Sequence, residues 1–340
     1  MKTAKGSRAR EFKHSREEGR RAARLSTQPL CHFETIPPSV WPHRLAVLLA
    51  CATFPLLFIG GLVTSLGAGL AVPDWPTTFG YNMFLYPWSK MVGGIFYEHS
   101  HRLVASVVGM LAIALALTFW LNERRRWLRW LGSAALGLVI LQGVLGGLRV
   151  VLLQQTLAII HACIAQGFFA LTVSLAFFTS DQWRAEARVE PIADGGRLRR
   201  LGAITTALIY VQIVFGAVLR HTGERLDAHL LLAALVTLHV VLLWIRITKF
   251  HGGDASLVRA VNFLGILLLV QLLLGAASYF GKFTTALKWS HEAIVLSTTI
   301  HLITGALILV TSLAIMLRAY RRSTWTPPIE AKIFTEQYSV

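Results

Sequence analysis

Gln212-Ile-Val-Phe-Gly216-Ala-Val-Leu-Arg220 closes an apolar run that begins near residue 198. The same small-residue pattern closes two other runs, as Gln142-Gly-Val-Leu-Gly146-Gly-Leu-Arg149 and as Gln271-Leu-Leu-Leu-Gly275-Ala-Ala. A weaker copy, Phe58-Ile-Gly60-Gly61-Leu-Val-Thr64, closes the first. Eight apolar runs can be drawn, at about 44–66, 98–121, 127–148, 154–179, 198–219, 228–247, 258–280 and 290–317. Each is long enough to cross roughly 30 Å of hydrocarbon. The small-residue pattern ends every odd-numbered run, and histidine stands in every even-numbered one. Four repeated helix pairs predict an all-α integral membrane protein, its eight transmembrane helices arranged as two pseudo-symmetric four-helix bundles over 44–180 and 198–318. The glycines of the pattern admit close approach, either of helix to helix or of helix to a flat ligand.

Composition agrees with this reading. Of 340 residues, 54% are hydrophobic and only 15% are charged, against about 25% charged in a typical soluble domain. That excludes an ordinary soluble enzyme, a disordered chain and a disulfide scaffold. The formal net charge of +16 would suggest a nucleic-acid partner in a soluble protein. Here the basic residues cluster between apolar runs and no basic, aromatic module is visible, so no nucleic acid is expected. Residues 1–43 read as a disordered, basic cytoplasmic tail, since the acids among them are too many for a mitochondrial transit peptide. With the arginines near 124–129, in the linker at 181–197 and in the tail at 319–340, they place both termini on the cytoplasmic side. Cys31, Cys51 and Cys163 form no CxxC, so neither a disulfide framework nor a zinc site is expected.

The chemistry lies in polar groups that the membrane makes costly. The second run opens with Tyr97-Glu98-His99-Ser100-His101-Arg102. Glu98 and His101 are i,i+3 and share a helix face, and Arg102 is placed to pair with Glu98. An interfacial cap with an ion pair is the plainer reading of that segment. Against it stand the partners: His161 in the fourth run, His229 and His239 in the sixth, and His291 and His301 in the eighth. Two histidines on facing helices of a four-helix bundle make a haem site, with glycine making room for the ring. His101 with His161 would serve the first half and His229 with His301 the second. Arg149 and Arg220 end their runs at the outer boundary, either paired with haem propionates or snorkelling to the interface. His239 lies about 15 Å along its helix from His229 and reads as a core histidine or a second-choice ligand.

At this point the sequence resembles the haem A synthase family, membrane enzymes that convert haem O to haem A for cytochrome oxidase. The resemblance covers about residues 44–318. It rests on Glu98-x-x-His101-Arg102, on Gly216-Ala-Val-Leu-Arg220-His221-Thr222, and on Gly60-Gly61-Leu-Val-Thr64 followed by Ala68-Gly69-Leu-Ala-Val-Pro-Asp74-Trp75-Pro76. It implies two four-helix bundles. His101 and His161 would be the axial positions for the substrate haem O, His229 and His301 would hold a haem b cofactor and its iron, and Glu98 would be the catalytic acid residue. The implied reaction is an oxidoreductase's: a ring methyl becomes an alcohol, then a geminal diol that loses water to leave a formyl group. It also implies a bacterial cytoplasmic (inner) membrane more than a mitochondrial one, an external electron partner, and haem O synthase and oxidase assembly factors as neighbours. Some members carry cysteine pairs in their outer loops, and this chain has none there.

The main rival is a diheme membrane electron carrier of the cytochrome b type, which needs the same four histidines but not Glu98. A polyprenyl transferase acting on haem needs aspartate clusters for Mg²⁺ and diphosphate, whereas the aspartates here are scattered. A transporter or cofactor-free assembly protein would use the histidines only as hydrogen-bonding groups.

Overall fold

A computed structural model describes residues 39–186, 194–284 and 288–323. Most of the two expected tails, and 187–193 of the linker, lie outside the described residues. The described helices are α1 (Trp41–Ser65), α2 (Gly94–Asn122), α3 (Arg126–Leu152), α4 (Gln155–Thr179), α5 (Asp181–Glu186), α6 (Gly195–Thr222), α7 (Leu226–Phe250), α8 (Ala255–Phe283) and α9 (His291–Ser323). All but α5 are long and apolar enough to cross a bilayer, so the expected all-α, eight-span fold is the fold found. The ends differ from expectation by a few residues. α9 runs on to Ser323 because its basic last turns close against the start of α8. There Arg318 donates to the Ser256 carbonyl at 3.3 Å and Arg322 pairs with Asp254, which itself caps α8 through the N–H groups of Ser256 and Leu257. The segment expected as linker holds α5 and the first turn of α6.

The outer faces are apolar, with Leu121, Leu231 and Leu273 among the most exposed side chains. That surface suits lipid, and the chain is a multi-pass membrane protein. Hydroxyls on the spans fold back on their own helices, Thr53 onto the Leu49 carbonyl, Thr205 onto Leu201 and Thr237 onto Ala233. They therefore need no water.

Each half is a square of helices. α1 lies beside α2, α2 beside α3, α3 beside α4, and α4 beside α1. In the second half α6, α7, α8 and α9 close in the same way. Across the seam α1 meets α9, α4 meets α6, and α4 meets α9. Exchanging the halves leaves this set of neighbours unchanged. α2 and α4 are thus diagonal in the first square, and α7 and α9 in the second. These are the four helices that carry His101, His161, His229 and His301.

The two largest clusters of dry packing lie toward one end of the bundle. The first half buries Leu49, Val108, Leu115, Phe119, Leu128 and Phe168. The second buries Val236, Leu243, Leu257, Leu264, Ile308 and Ile315. On each of the four diagonal helices the first residue of its half's core follows the histidine by seven: Val108, Phe168, Val236 and Ile308. Seven residues are two turns, about 10 Å along the axis and nearly back on the same face. The end richer in arginine is therefore filled by apolar side chains, and the core stops short of the histidine end by the same distance four times. A third cluster, including Leu57, Phe169, Ile303 and Val310, fills the seam.

Candidate functional site

The glycines of the repeat have one common job. A β-carbon on Gly60 would stand 3.1 Å from Cε1 of His101. On Gly146 it would stand 3.4 Å from Cε1 of His161, on Gly216 3.2 Å from that of His229, and on Gly275 3.2 Å from that of His301. Each odd-numbered span thus presents bare backbone to the histidine of the span that follows. The close approach is of backbone to imidazole, and it fixes the plane of each ring. The second small residue of the pattern is free for another contact. Gly61 faces Thr299 of α9, and Gly147 faces the Trp75 indole, which lies where its β-carbon would be. Gly275→Ala is expected to push the His301 ring by a few tenths of an ångström and, if that ring ligates haem b as the resemblance implies, to weaken the binding about tenfold. A Soret titration with haem b checks this.

The four rings are half-buried, each with its Nδ1 buried, and the main chain of Leu56, Gln142, Gln212 and Gln271 is the hydrogen-bonding neighbour of His101, His161, His229 and His301 respectively. In the second half the rings of His229 and His301 face one another across the diagonal, centroids 6.4 Å apart and planes at 64°. Two imidazoles sharing one metal, each nitrogen about 2.0 Å from it, have ring centres about 6 Å apart. The pair therefore fits a metal between its rings. Below it lie two amides, with Nε2 of Gln212 3.4 Å from the His229 Nε2 and Nε2 of Gln271 3.3 Å from the His301 Nε2. Gln212 also donates to the His229 carbonyl at 3.0 Å. Each glutamine stands four residues before the repeat's glycine, so it comes from the same helix face one turn nearer the core. In the first copy Leu56 takes that place. Nε2 of His101 and of His161 has no hydrogen bond among the described residues and is not fully buried. The two halves thus differ at Nε2.

In the first half His161 and Arg149 lie within electrostatic reach of His101, and Arg149 also acts on His161 and Glu98. These groups share one neighbourhood, roofed by the segment 66–93. Glu98 is 5% exposed. Its Oε1 accepts from Arg102 at 2.9 Å and its Oε2 from the Val72 N–H at 3.0 Å. Arg102 donates onward to the carbonyls of Val72, Asp74 and Thr77. The ion pair foreseen from i,i+4 spacing is present, and it does more than cap a helix: it fastens the roof. His99, given no role from sequence, is 1% exposed and contacts Thr78 Oγ1 at 3.2 Å and the Tyr86 ring. Two residues along a helix turn about 200°, so His99 faces the roof because His101 faces the bundle.

Asp74 closes the roof's tightest turn, accepting from Thr77 Oγ1 and from the N–H groups of Phe79 and Gly80. Phe79 and Gly80 both have positive φ, which is the backbone that brings their N–H groups round to one carboxylate. Burial pushes the Asp74 carboxyl up, but the hydrogen bonds from Gly80, Thr77 and Phe79 outweigh it and hold the group below the ordinary carboxylate range. A lowered value in the folded chain stabilises the turn above the ordinary value, and that stability is lost as pH falls through the lowered one. Amide-exchange protection over 74–81 is expected to stay level from neutral pH to the ordinary carboxylate range and to drop only below it. Asp74→Asn should flatten that drop.

The remaining candidates separate clearly. Arg149 lies against Gly69 of the roof, with no room for a β-carbon there, and makes no hydrogen bond among the described residues. Arg220 does not snorkel outward. It crosses the seam and donates to the carbonyls of Gly61 (2.7 Å) and Thr298 (3.2 Å) and to Ser65 Oγ (2.6 Å). His239 turns back on its own helix, its Nδ1 bonded to the Leu235 carbonyl at 2.9 Å. His43, expected in a cytoplasmic segment, lies in α1 and bonds Thr179 of α4 at 3.1 Å. Among the described residues no three His, Cys, Asp or Glu side chains converge as a metal ligand set. Each half offers two histidines, which is what an iron already held by four ring nitrogens asks of a protein.

A sequence profile described as cytochrome oxidase assembly protein, COX15-CtaA, matches residues 43–228. The chain is 32% identical over 187 residues to a protein named heme A synthase from Shouchella clausii, a match that covers 54% of this chain and 60% of that protein. Proteins of the same name from Alkalihalophilus pseudofirmus (29% over 184 residues, 53% and 60% covered) and Bacillus pumilus (30% over 192, 54% and 60% covered) are also similar. The match thus spans about three fifths of each relative's length.

Proposed function

Because the chain belongs to the COX15-CtaA family of cytochrome oxidase assembly proteins, we propose that it is a haem A synthase, an oxidoreductase that converts a ring methyl of haem O to a formyl group. The observation that carries this reading is the glycine–histidine contact repeated between successive spans, which puts paired histidines on diagonal helices, with the His229 and His301 rings 6.4 Å apart above a polar floor. In this reading His229 and His301 hold haem b, which supplies one-electron chemistry when bound. His101 and His161, whose Nε2 atoms have no competing amide, receive haem O, and Arg149 meets its carboxylates.

Glu98 is the catalytic residue. Its carboxylate is held in place by Arg102 and the Val72 N–H, which leaves lone pairs to take a proton or to face positive charge developing at the ring substituent. The roof segment keeps water from that substituent. A diheme electron carrier would account for the four histidines but would leave the buried Glu98 without a task.

The proposed setting is a bacterial cytoplasmic membrane with both termini inside. An external electron partner, haem O synthase and oxidase assembly factors are neighbours in that setting. Pigment extraction from membranes that carry this chain together with a haem O source tests the reading. Haem A that appears only with the chain supports it. Bound haem b with neither haem A nor the alcohol, an electron partner being supplied, sinks it in favour of the carrier.

A further inference from the structure

At the histidine end of the seam lies a cavity of about 280 Å³, lined by Thr64 and Ser65 of α1, Arg220 of α6, Lys282 of α8, and His291 and Thr298 of α9. Among the described residues no acidic side chain lines it. The Nε of Arg220 is buried there with no hydrogen bond, although the guanidinium's other nitrogens are bonded. Lys282 makes no hydrogen bond among the described residues and lies within electrostatic reach of Arg220. Arg220 and Lys282, gathered beside His291 in a partly enclosed space with no acidic lining residue among the described residues, are costly together unless an anion joins them. Thr298 precedes His301 by three residues, about 4.5 Å along the helix, and Arg220 acts on His301. The cavity therefore stands one turn beyond the histidine pair, on the side away from the core.

We propose that this cavity takes a carboxylate of the tetrapyrrole held between His229 and His301, with Lys282 and His291 joining Arg220 as its contacts. The assignment rests on the haem reading given above and extends it to two residues outside the histidine pair. A haem held by these rings would carry both its carboxylates on one edge, and because the apolar core closes the opposite direction, that edge would be left to face the basic cavity. Ser65 and Thr298 already bond one another at the cavity wall, and their hydroxyls can turn to a bound oxygen.

The test uses the full chain in phosphatidylcholine nanodiscs, titrated with haem b and with its dimethyl ester. The signal followed is the Soret component that His301→Ala abolishes. The wild type is expected to bind the free acid about tenfold more tightly than the ester. Lys282→Met should erase most of that preference while leaving ester affinity unchanged, and Lys282→Arg should restore it. Equal wild-type affinities for acid and ester, or equal weakening of both by Lys282→Met, would overturn the proposal. Nanodiscs containing phosphatidylglycerol form a second arm. Lys282-dependent retention of that lipid without an acid-over-ester preference would give the cavity to a lipid phosphate and also overturn it. A wild-type haem spectrum in a His229→Ala/His301→Ala chain would overturn both the cavity and the histidine-pair reading. A flat acid–ester comparison in a chain that still makes haem A would overturn the cavity alone.

Discussion

His301→Ala is expected to cost the chain its tightly held haem b and to lower haem A formation by on the order of a hundredfold or more. His301 and His229 face each other at a spacing that fits one metal between them, so one ring alone leaves an iron short of a ligand on one side. The ring also rests on Gly275, and its removal opens a gap against bare backbone. His229→Ala should behave alike. Visible spectra of the purified variants check this: any residual pigment should lose the six-coordinate, low-spin signature that two imidazoles impose. A wild-type spectrum in either variant would refute the pairing. His239→Ala is the control. Its ring bonds its own helix, and the spectrum should not change.

Glu98→Gln is expected to stop haem A formation, by on the order of a hundredfold, while haem b stays bound in the other half. Truncation to alanine is the less informative change. It leaves Arg102 a buried, uncompensated charge, at a cost of about 3–5 kcal/mol, and it also frees the Val72 N–H, so the roof over the first half would loosen. The amide keeps an oxygen for Arg102 but loses the charge. Comparing the two separates fastening from chemistry. If Glu98 only fastened the roof, Glu98→Gln would retain most of the activity that Glu98→Ala loses. Haem A formation at the wild-type rate by the Gln variant would remove Glu98 from the reaction.

Much of the architecture could be read from the chain because the membrane enforces simple rules. Length and apolarity identified all eight spans. The repeated small-residue pattern marked the pairs, since the same contact, backbone against imidazole, is made four times. The Glu98–Arg102 pair followed from helical spacing alone. Contacts made to backbone carbonyls left no such trace. Arg220 reaches Gly61 across 159 positions of sequence, and a carbonyl looks the same at every residue. Arg102 is hidden in the same way, because three of its four acceptors are main-chain oxygens. The glutamines were visible in the repeat at Gln142, Gln212 and Gln271, yet an amide one turn below a glycine has no chemistry of its own until the ring it faces is in place. His99 was legible in principle. The turn between it and His101 already required two different surroundings.

The two-turn offset between each histidine and the first core residue bears on how the protein is made. The largest apolar clusters of each helical square lie toward the end away from the histidines, so most of the packing that joins the helices needs no group bound between the rings. A chain with nothing bound at that end would then already be packed through most of its interior, and a group arriving there would enter a frame made beforehand.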